Sequence, residues 1–127
     1  MTYKILIVDD SKLARMSVAK ALTSLRPDWT RLEAANADEA LILIEQSPID
    51  IALLDFNMPG RDGLELAAEL LAGSPGMPVA VISANHQSEI VARAREVGAI
   101  FLTKPITEQA LGEFIAEAVG KLEGAAK

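Results

Sequence analysis

The sequence predicts an α/β fold, an open and doubly wound sheet of five parallel strands with five helices. Two observations carry this. Short β-branched-rich runs alternate with helix-period segments five times along the chain. Several of those runs are apolar at successive positions, as in strands covered on both faces, and parallel strands need crossover helices between them.

Each element has its own signal. Ile5-Leu6-Ile7-Val8 is a continuous apolar run stopped by Asp9-Asp10, and Ser11 can cap a helix in which Ala14, Val18, Ala21, Leu22 and Leu25 recur until Pro27. Thr30 to Ala34 is a weaker, less apolar run that suits an edge strand. Asn36 caps a second helix through Ala37, Ala40, Leu41 and Ile44, closed by Ser47-Pro48. Ile49 to Leu54 is the next buried strand, ending at Asp55, followed by a turn-rich loop from Phe56 to Gly63 and a short helix from Leu64 to Ala72. Val79-Ala80-Val81-Ile82 ends at Ser83. Ile90, Ala94 and Val97 mark a fourth helix that Gly98 terminates. Ala99 to Leu102 is the fifth strand, and Thr107 caps a last helix with Leu111, Phe114, Ile115, Ala118 and Leu122 on one stripe. Residues 1–122 form the expected domain, with Glu123 to Lys127, rich in Gly and Ala, as a short flexible tail.

Composition limits the functions open to this fold. A chain of 127 residues is one domain that buries roughly two-thirds of its unfolded surface. Zero cysteines excludes a disulfide scaffold, a thiolate nucleophile and a sulfur-rich zinc site, and a single histidine, His86, leaves no basis for a histidine metal centre. The net charge of −6, without a basic run, argues against direct nucleic-acid binding. The first apolar run is too short for a signal peptide or a membrane span, so a cytoplasmic protein without membrane contact is expected.

In such a sheet, function gathers at the carboxyl ends of the strands. The first strand ends in Asp9 and Asp10, the third in Asp55 and the fourth in Ser83, with Lys104 just past the fifth. Singly, an acidic pair, a turn aspartate or a serine is most simply a helix cap, because carboxylates favour helix N-termini. Five polar groups at strand ends on one edge are much harder to obtain by chance. Three adjacent carboxylates repel, and a hard divalent cation relieves the repulsion. Mg2+ suits all-oxygen ligands, with Mn2+ as a substitute. A phosphoryl group would complete such a site, with Lys104 and Ser83 on its oxygens and Asp55, ending the central strand, as the acceptor.

These residues also resemble a known family, the receiver domains of two-component response regulators, especially the single-domain chemotaxis type. The resemblance covers residues 3 to 122. It rests on Asp9-Asp10-Ser11, on Asp55-Phe56-Asn57-Met58-Pro59-Gly60-Arg61-Asp62-Gly63 with its Met-Pro-x-x-Asp-Gly loop, on Ser83-Ala84 and on Lys104-Pro105. It implies a flavodoxin-like sheet in the order 2-1-3-4-5. It implies phosphoryl transfer to Asp55 from a histidine kinase or a histidine phosphotransfer protein. Mg2+ would be held by Asp10, Asp55 and the backbone carbonyl of Asn57, with Asp9 acting through water. Ser83 and Lys104 would bind phosphoryl oxygens, and Ser83 would move toward the phosphate as Phe101 turns inward.

The resemblance also implies a switch rather than an enzyme, promoting only its own phosphorylation and dephosphorylation. Two positions depart from the family's frequent pattern. Phe101 stands where many members carry Tyr and offers no hydroxyl, and Ser83 stands where Thr is frequent. Asn57 and Asn85 occupy positions that tune attack of water, and neither is an acid or base, which favours a long-lived phosphoform. Pro105 follows a cis bond in the family, against a generic expectation of trans. Lys12, Arg15 and Lys20, with Met16, would receive the phosphodonor on the first helix. His86 is expected to be exposed at the start of the fourth helix. The fourth helix, fifth strand and fifth helix would form the output surface for a downstream target, with Arg93, Glu96, Glu108, Glu113 and Glu117. Gly112, Ala116 and Gly120 would permit close helix approach, as a monomer or a phosphorylation-dependent dimer.

Three other readings compete. A phosphorylation-independent pseudo-receiver would bind partners only, yet all five polar positions are kept. An aspartate-nucleophile phosphatase needs an acid/base two residues after its nucleophile, where Asn57 cannot serve. A flavin-binding relative would need a Gly/Ser/Thr-rich phosphate loop after the first strand, and Asp9-Asp10-Ser11-Lys12 is not one.

Overall fold

The computed structural model describes residues 2–84 and 87–125. The expectations for Asn85 and His86, and the last two residues of the expected tail, lie outside the described residues.

Ten elements alternate along the chain: β1 (Lys4–Val8), α1 (Lys12–Leu25), β2 (Thr30–Ala34), α2 (Ala37–Gln46), β3 (Ile51–Asp55), α3 (Gly63–Gly73), β4 (Val79–Ser83), α4 (Ser88–Val97), β5 (Ile100–Thr103) and α5 (Glu108–Ala125). The strands form one parallel sheet in the order β2-β1-β3-β4-β5, as the resemblance implies. β1 pairs with both β2 and β3, with Val8 opposite Ala34 on one side and Leu54 on the other. The strand order therefore reverses beside β1, and that is where a parallel sheet opens a crevice at its carboxyl edge.

Every residue of β3 and β4 is buried, because alternate side chains feed two separate cores. Leu6, Val8, Leu54, Val79 and Val81 pack with Leu64, Leu66, Ile90 and Ala94 on one face. Ile5, Ile7, Ile51, Leu53 and Ile82 pack with Val18, Leu22, Leu111, Phe114 and Ile115 on the other. β2, at the edge, is mostly exposed, which explains its weaker apolar signal.

The helix starts form as their capping residues dictate. Ser11 Oγ accepts from Ala14 N, Asn36 Oδ1 from Glu39 N, and Thr107 Oγ1 from Ala110 N at 3.2, 2.9 and 3.0 Å. Asp62 and Glu65 form a reciprocal capping box at α3. Gly98 ends α4 with φ of 91°, the left-handed conformation that glycine adopts without steric cost.

Several element limits differ by a residue or more from those the sequence suggests, as β1 at Lys4 and α3 at Gly63–Gly73 do, and three of the differences have a clear physical cause. β3 begins at Ile51, because Asp50 exchanges bonds with Lys4: its N–H donates to the Lys4 carbonyl and its Oδ2 accepts from Lys4 N. β5 begins at Ile100, because the Ala99 N–H donates to the Ala94 carbonyl and so belongs to the end of α4. α5 runs to Ala125, so residues 123–125 of the expected tail are helical. Gly and Ala there suggest looseness by composition, yet no proline interrupts the hydrogen-bond ladder and Leu122 anchors the preceding turn to the core. Among the described residues no helix is long and apolar enough to cross a membrane.

Gly63 fixes how the loop after β3 returns to the sheet. Its N–H donates to the Phe56 carbonyl at 3.0 Å. A Cβ built there would overlap the Asp55 carbonyl oxygen and lie 3.0 Å from the Asp55 carbonyl carbon and Phe56 Cα. Backbone atoms cannot yield as a flexible side chain would, so Gly63→Ala is expected to destabilise the fold by about 2–3 kcal/mol. At an ordinary helix position the same change is stabilising. Urea denaturation midpoints of the two proteins check the sign.

Candidate functional site

Adjacency of β1 and β3 sets the site. Asp9 and Asp10 leave the end of β1 as Asp55 ends β3, and the carboxylates of all three offer oxygens within 4.8 Å of one another. Asp9 and Asp55 are 8% and 4% exposed, whereas Asp10 is exposed. Lys104, one residue past β5, reaches across: its Nζ lies 2.8 Å from Asp55 Oδ1 and 3.6 Å from Asp9 Oδ2. The Lys104 N–H donates to the Ser83 carbonyl at 3.0 Å, which extends the β4–β5 pairing to the site. The Lys104–Pro105 bond is cis, as in the resembling family.

The electrostatics follow from this placement. Burial, first, pushes the Asp55 carboxyl above its ordinary value; the charges of Asp9 and Asp10 add to the rise, and the Lys104 ammonium opposes it. Burial alone would lower Lys104, but Asp55 and Asp9 together outweigh that and hold the ammonium above its ordinary value. The set of carboxylate oxygens, with too little positive charge to balance it, matches what a hard divalent cation binds.

Ser83 ends β4, next to β3, and is buried, with 1% exposure. Asn57 is exposed in the loop after β3. Phe101 sits on β5 opposite Val81, half-buried against the core shared with α2, α3 and α4. The sequence-predicted set thus divides into a carboxylate–ammonium centre, a buried hydroxyl on the neighbouring strand end and an aromatic group one strand further out. Beside the centre a groove of about 220 Å³ opens between α1 and the β5–α5 loop, lined by Asp9, Ala14, Val18, Lys104 and Pro105 among others.

Two expectations about surfaces change. Arg15 is not free on a basic rim: its Nη1 donates to the Asp9 carbonyl at 2.6 Å and its Nε to Glu33 Oε1 at 3.0 Å. The signal was present in its spacing, since Arg15, Val18 and Leu22 share one stripe of α1. Gly112 faces α1, where an added Cβ would lie 3.6 Å from Leu25 Cδ2, so the first of the three small residues serves packing within the chain. Gly63 is the residue the sequence reading noted only as part of a motif, because close backbone approach leaves no trace in hydropathy.

Residues 5–116 match the response regulator receiver domain. The chain belongs to that family. It is 40% identical over 118 residues to the positive alginate biosynthesis regulatory protein of Pseudomonas aeruginosa, covering 90% of this chain and 46% of that protein. It is 39% identical over 104 residues to the glycerol metabolism activator of Pseudomonas putida, covering 80% and 47%. The chain thus spans about half the length of these relatives. Among solved structures, a CheY-like receiver domain protein of Methanospirillum hungatei superposes with a TM-score of 0.88 at 27% identity, covering 98% of this chain and 99% of that one. The CheX–CheY–BeF3–magnesium complex of Borrelia burgdorferi superposes with a TM-score of 0.83 at 26% identity, covering 92% and 89%. Receiver domains of this family are typically phosphorylated on an aspartate and bind Mg2+ at an acidic pocket.

The raised Asp55 carboxyl has a consequence for stability. A folded-state value above the unfolded one means the protonated form favours folding, and that contribution is lost as pH rises from the ordinary carboxylate range through the raised value. Asn mimics the protonated form in shape and charge. Asp55→Asn is therefore expected to match the wild-type melting temperature in acid and to exceed it at neutral pH without metal. Paired thermal melts across pH in the presence of a chelator check this.

Proposed function

We propose that this receiver is a phosphorylation switch in which Asp55 accepts a phosphoryl group from a histidine kinase or a histidine phosphotransfer protein. The observation that carries the reading is the placement of the Asp55 carboxylate: buried at the end of the central strand, 2.8 Å from an ammonium and beside two further carboxylates.

An ionised Asp55 oxygen attacks the phosphorus of a phosphohistidine; the new O–P bond forms as the N–P bond breaks, and the electron pair stays with the imidazole nitrogen. Lys104 is already at the acceptor and turns its ammonium to a phosphoryl oxygen of the product, keeping its proton and charge, while the Ser83 hydroxyl donates to another. Asp10, Asp55 and the Asn57 carbonyl, with Asp9 through water, would hold Mg2+. When bound, the ion offsets the charge of the carboxylates and the incoming phosphoryl oxygens. Asn57, two residues from the acceptor, is itself neither an acid nor a base that would hasten hydrolysis, which supports a lasting phosphoform.

Output follows from rearrangement rather than turnover. Ser83 shifts toward the phosphoryl group, Phe101 turns inward, and the surface formed by α4, β5 and α5 changes shape. Exposed Arg93, Glu96, Glu113 and Glu117 give that surface its mixed, mainly acidic character toward a downstream target. Along α1, exposed Leu13 and Met16, flanked by Lys12 and Lys20, support donor docking. This reading places the protein in the cytoplasm with its kinase.

Incubation with acetyl phosphate and Mg2+ is expected to add one phosphoryl group by intact-protein mass, and none after chelation of Mg2+ or in Asp55→Asn. An adduct that persists in Asp55→Asn overturns the acceptor assignment; no adduct under any condition favours a phosphorylation-independent binding module. Lys104→Ala is expected to keep part of the phosphorylation yet shrink the amide NMR shifts that activation produces in α4 and β5. Shifts equal to wild type would remove Lys104 from the switch.

A further inference from the structure

Resting on that reading of the metal site, we propose that Arg15 is a positioning residue for it, setting the direction of the Asp10 carboxylate through the Asp9–Asp10 peptide. The Asp9 carbonyl oxygen lies in the plane of that peptide, so a donor held on it fixes the plane's rotation and hence the backbone from which the Asp10 side chain springs. Arg15 Nη1 donates to that oxygen at 2.6 Å, a short charge-assisted bond. Glu33 of β2 holds Arg15 Nε at 3.0 Å and so fixes the plane of the guanidinium.

The two members of the acidic pair are anchored very differently. Asp9 is tied on every side: its N–H donates to the Ala34 carbonyl, its Oδ1 accepts from Ser11 N at 2.9 Å, and its Oδ2 faces Lys104. The exposed Asp10 carboxylate makes no hydrogen bond or ion pair with another described residue, so its aim depends on its backbone. The Arg15 side chain is only 15% exposed, which places a guanidinium close behind a centre expected to bind a cation. On charge alone this opposes metal binding. Its contribution is therefore geometric, as for the outer groups that orient metal ligands.

The two roles differ in sign, which makes the test sharp. Removing a nearby positive charge should tighten Mg2+ binding if Arg15 acts only through its field. Loss of positioning should weaken it, by about tenfold. Mg2+ alone is titrated into the metal-free chain, well below its melting temperature, and the dissociation constant is read from amide NMR shifts. Arg15→Met is expected to weaken binding about tenfold. Arg15→Lys keeps the charge but cannot serve Asp9 and Glu33 together, and is expected to weaken it several-fold, deciding the matter even if Arg15→Met fails to fold. Binding in Arg15→Lys within twofold of wild type, or in Arg15→Met as tight as wild type or tighter, overturns the proposal. A wild-type chain that binds no Mg2+ overturns the metal-site reading itself.

Discussion

Repulsion among Asp9, Asp10 and Asp55 is the constraint around which the carboxyl end of the sheet is organised. Parallel pairing of β1 with β3 brings the ends of both strands together, and the chain has an acidic group at each. Ordinary packing would not retain such a cluster, since burying charge without a partner is costly. Two cationic side chains answer it from different directions. Lys104 enters from the far edge of the sheet and meets the carboxylates themselves, whereas Arg15 comes from α1 and meets only the backbone behind them. One pairs with the charged oxygens, and the other holds the backbone that carries them.

The same placement links the site to the distant surface. Lys104 follows β5 directly and is hydrogen-bonded through its backbone to Ser83, which ties the centre to the ends of both β4 and β5. Phe101 lies on that same β5, half-buried against the core on that face of the sheet. The interior strands β3 and β4 are packed on both faces and provide the rigid frame. On the other side of the site, the capping box at Asp62 and the close approach of Gly63 to Asp55 hold the loop that follows β3.

How much of this was legible depended on the range of the interaction. All ten elements follow from local signals: apolar runs, helix spacing and the caps at Ser11, Asn36 and Thr107. The site was also legible, because the rule that strands of an open α/β sheet carry function at their carboxyl ends converts sequence position into location. The limits of β3 and β5 were misplaced by one or two residues, because Asp50 and Ala99 are claimed by bonds to other elements. The Gly/Ala-rich end of α5 looked loose by composition but continues its helix, since hydrogen bonding within a helix needs no apolar content.

By itself, the sequence determined the class of fold, the identity of the acidic, hydroxyl and ammonium groups, and the edge on which they meet. These follow from local hydropathy and from the alternation of strand and helix. Only the tertiary structure decided which oxygen Lys104 faces, that Asp9 is braced while Asp10 is open, that Arg15 and Gly112 turn inward, and that Gly63 lies against the backbone of Asp55. Each of those depends on a distance of a few ångströms between elements that are separate in the chain. Periodicity assigns a residue to a face, but contact on that face is fixed by how strands and helices pack.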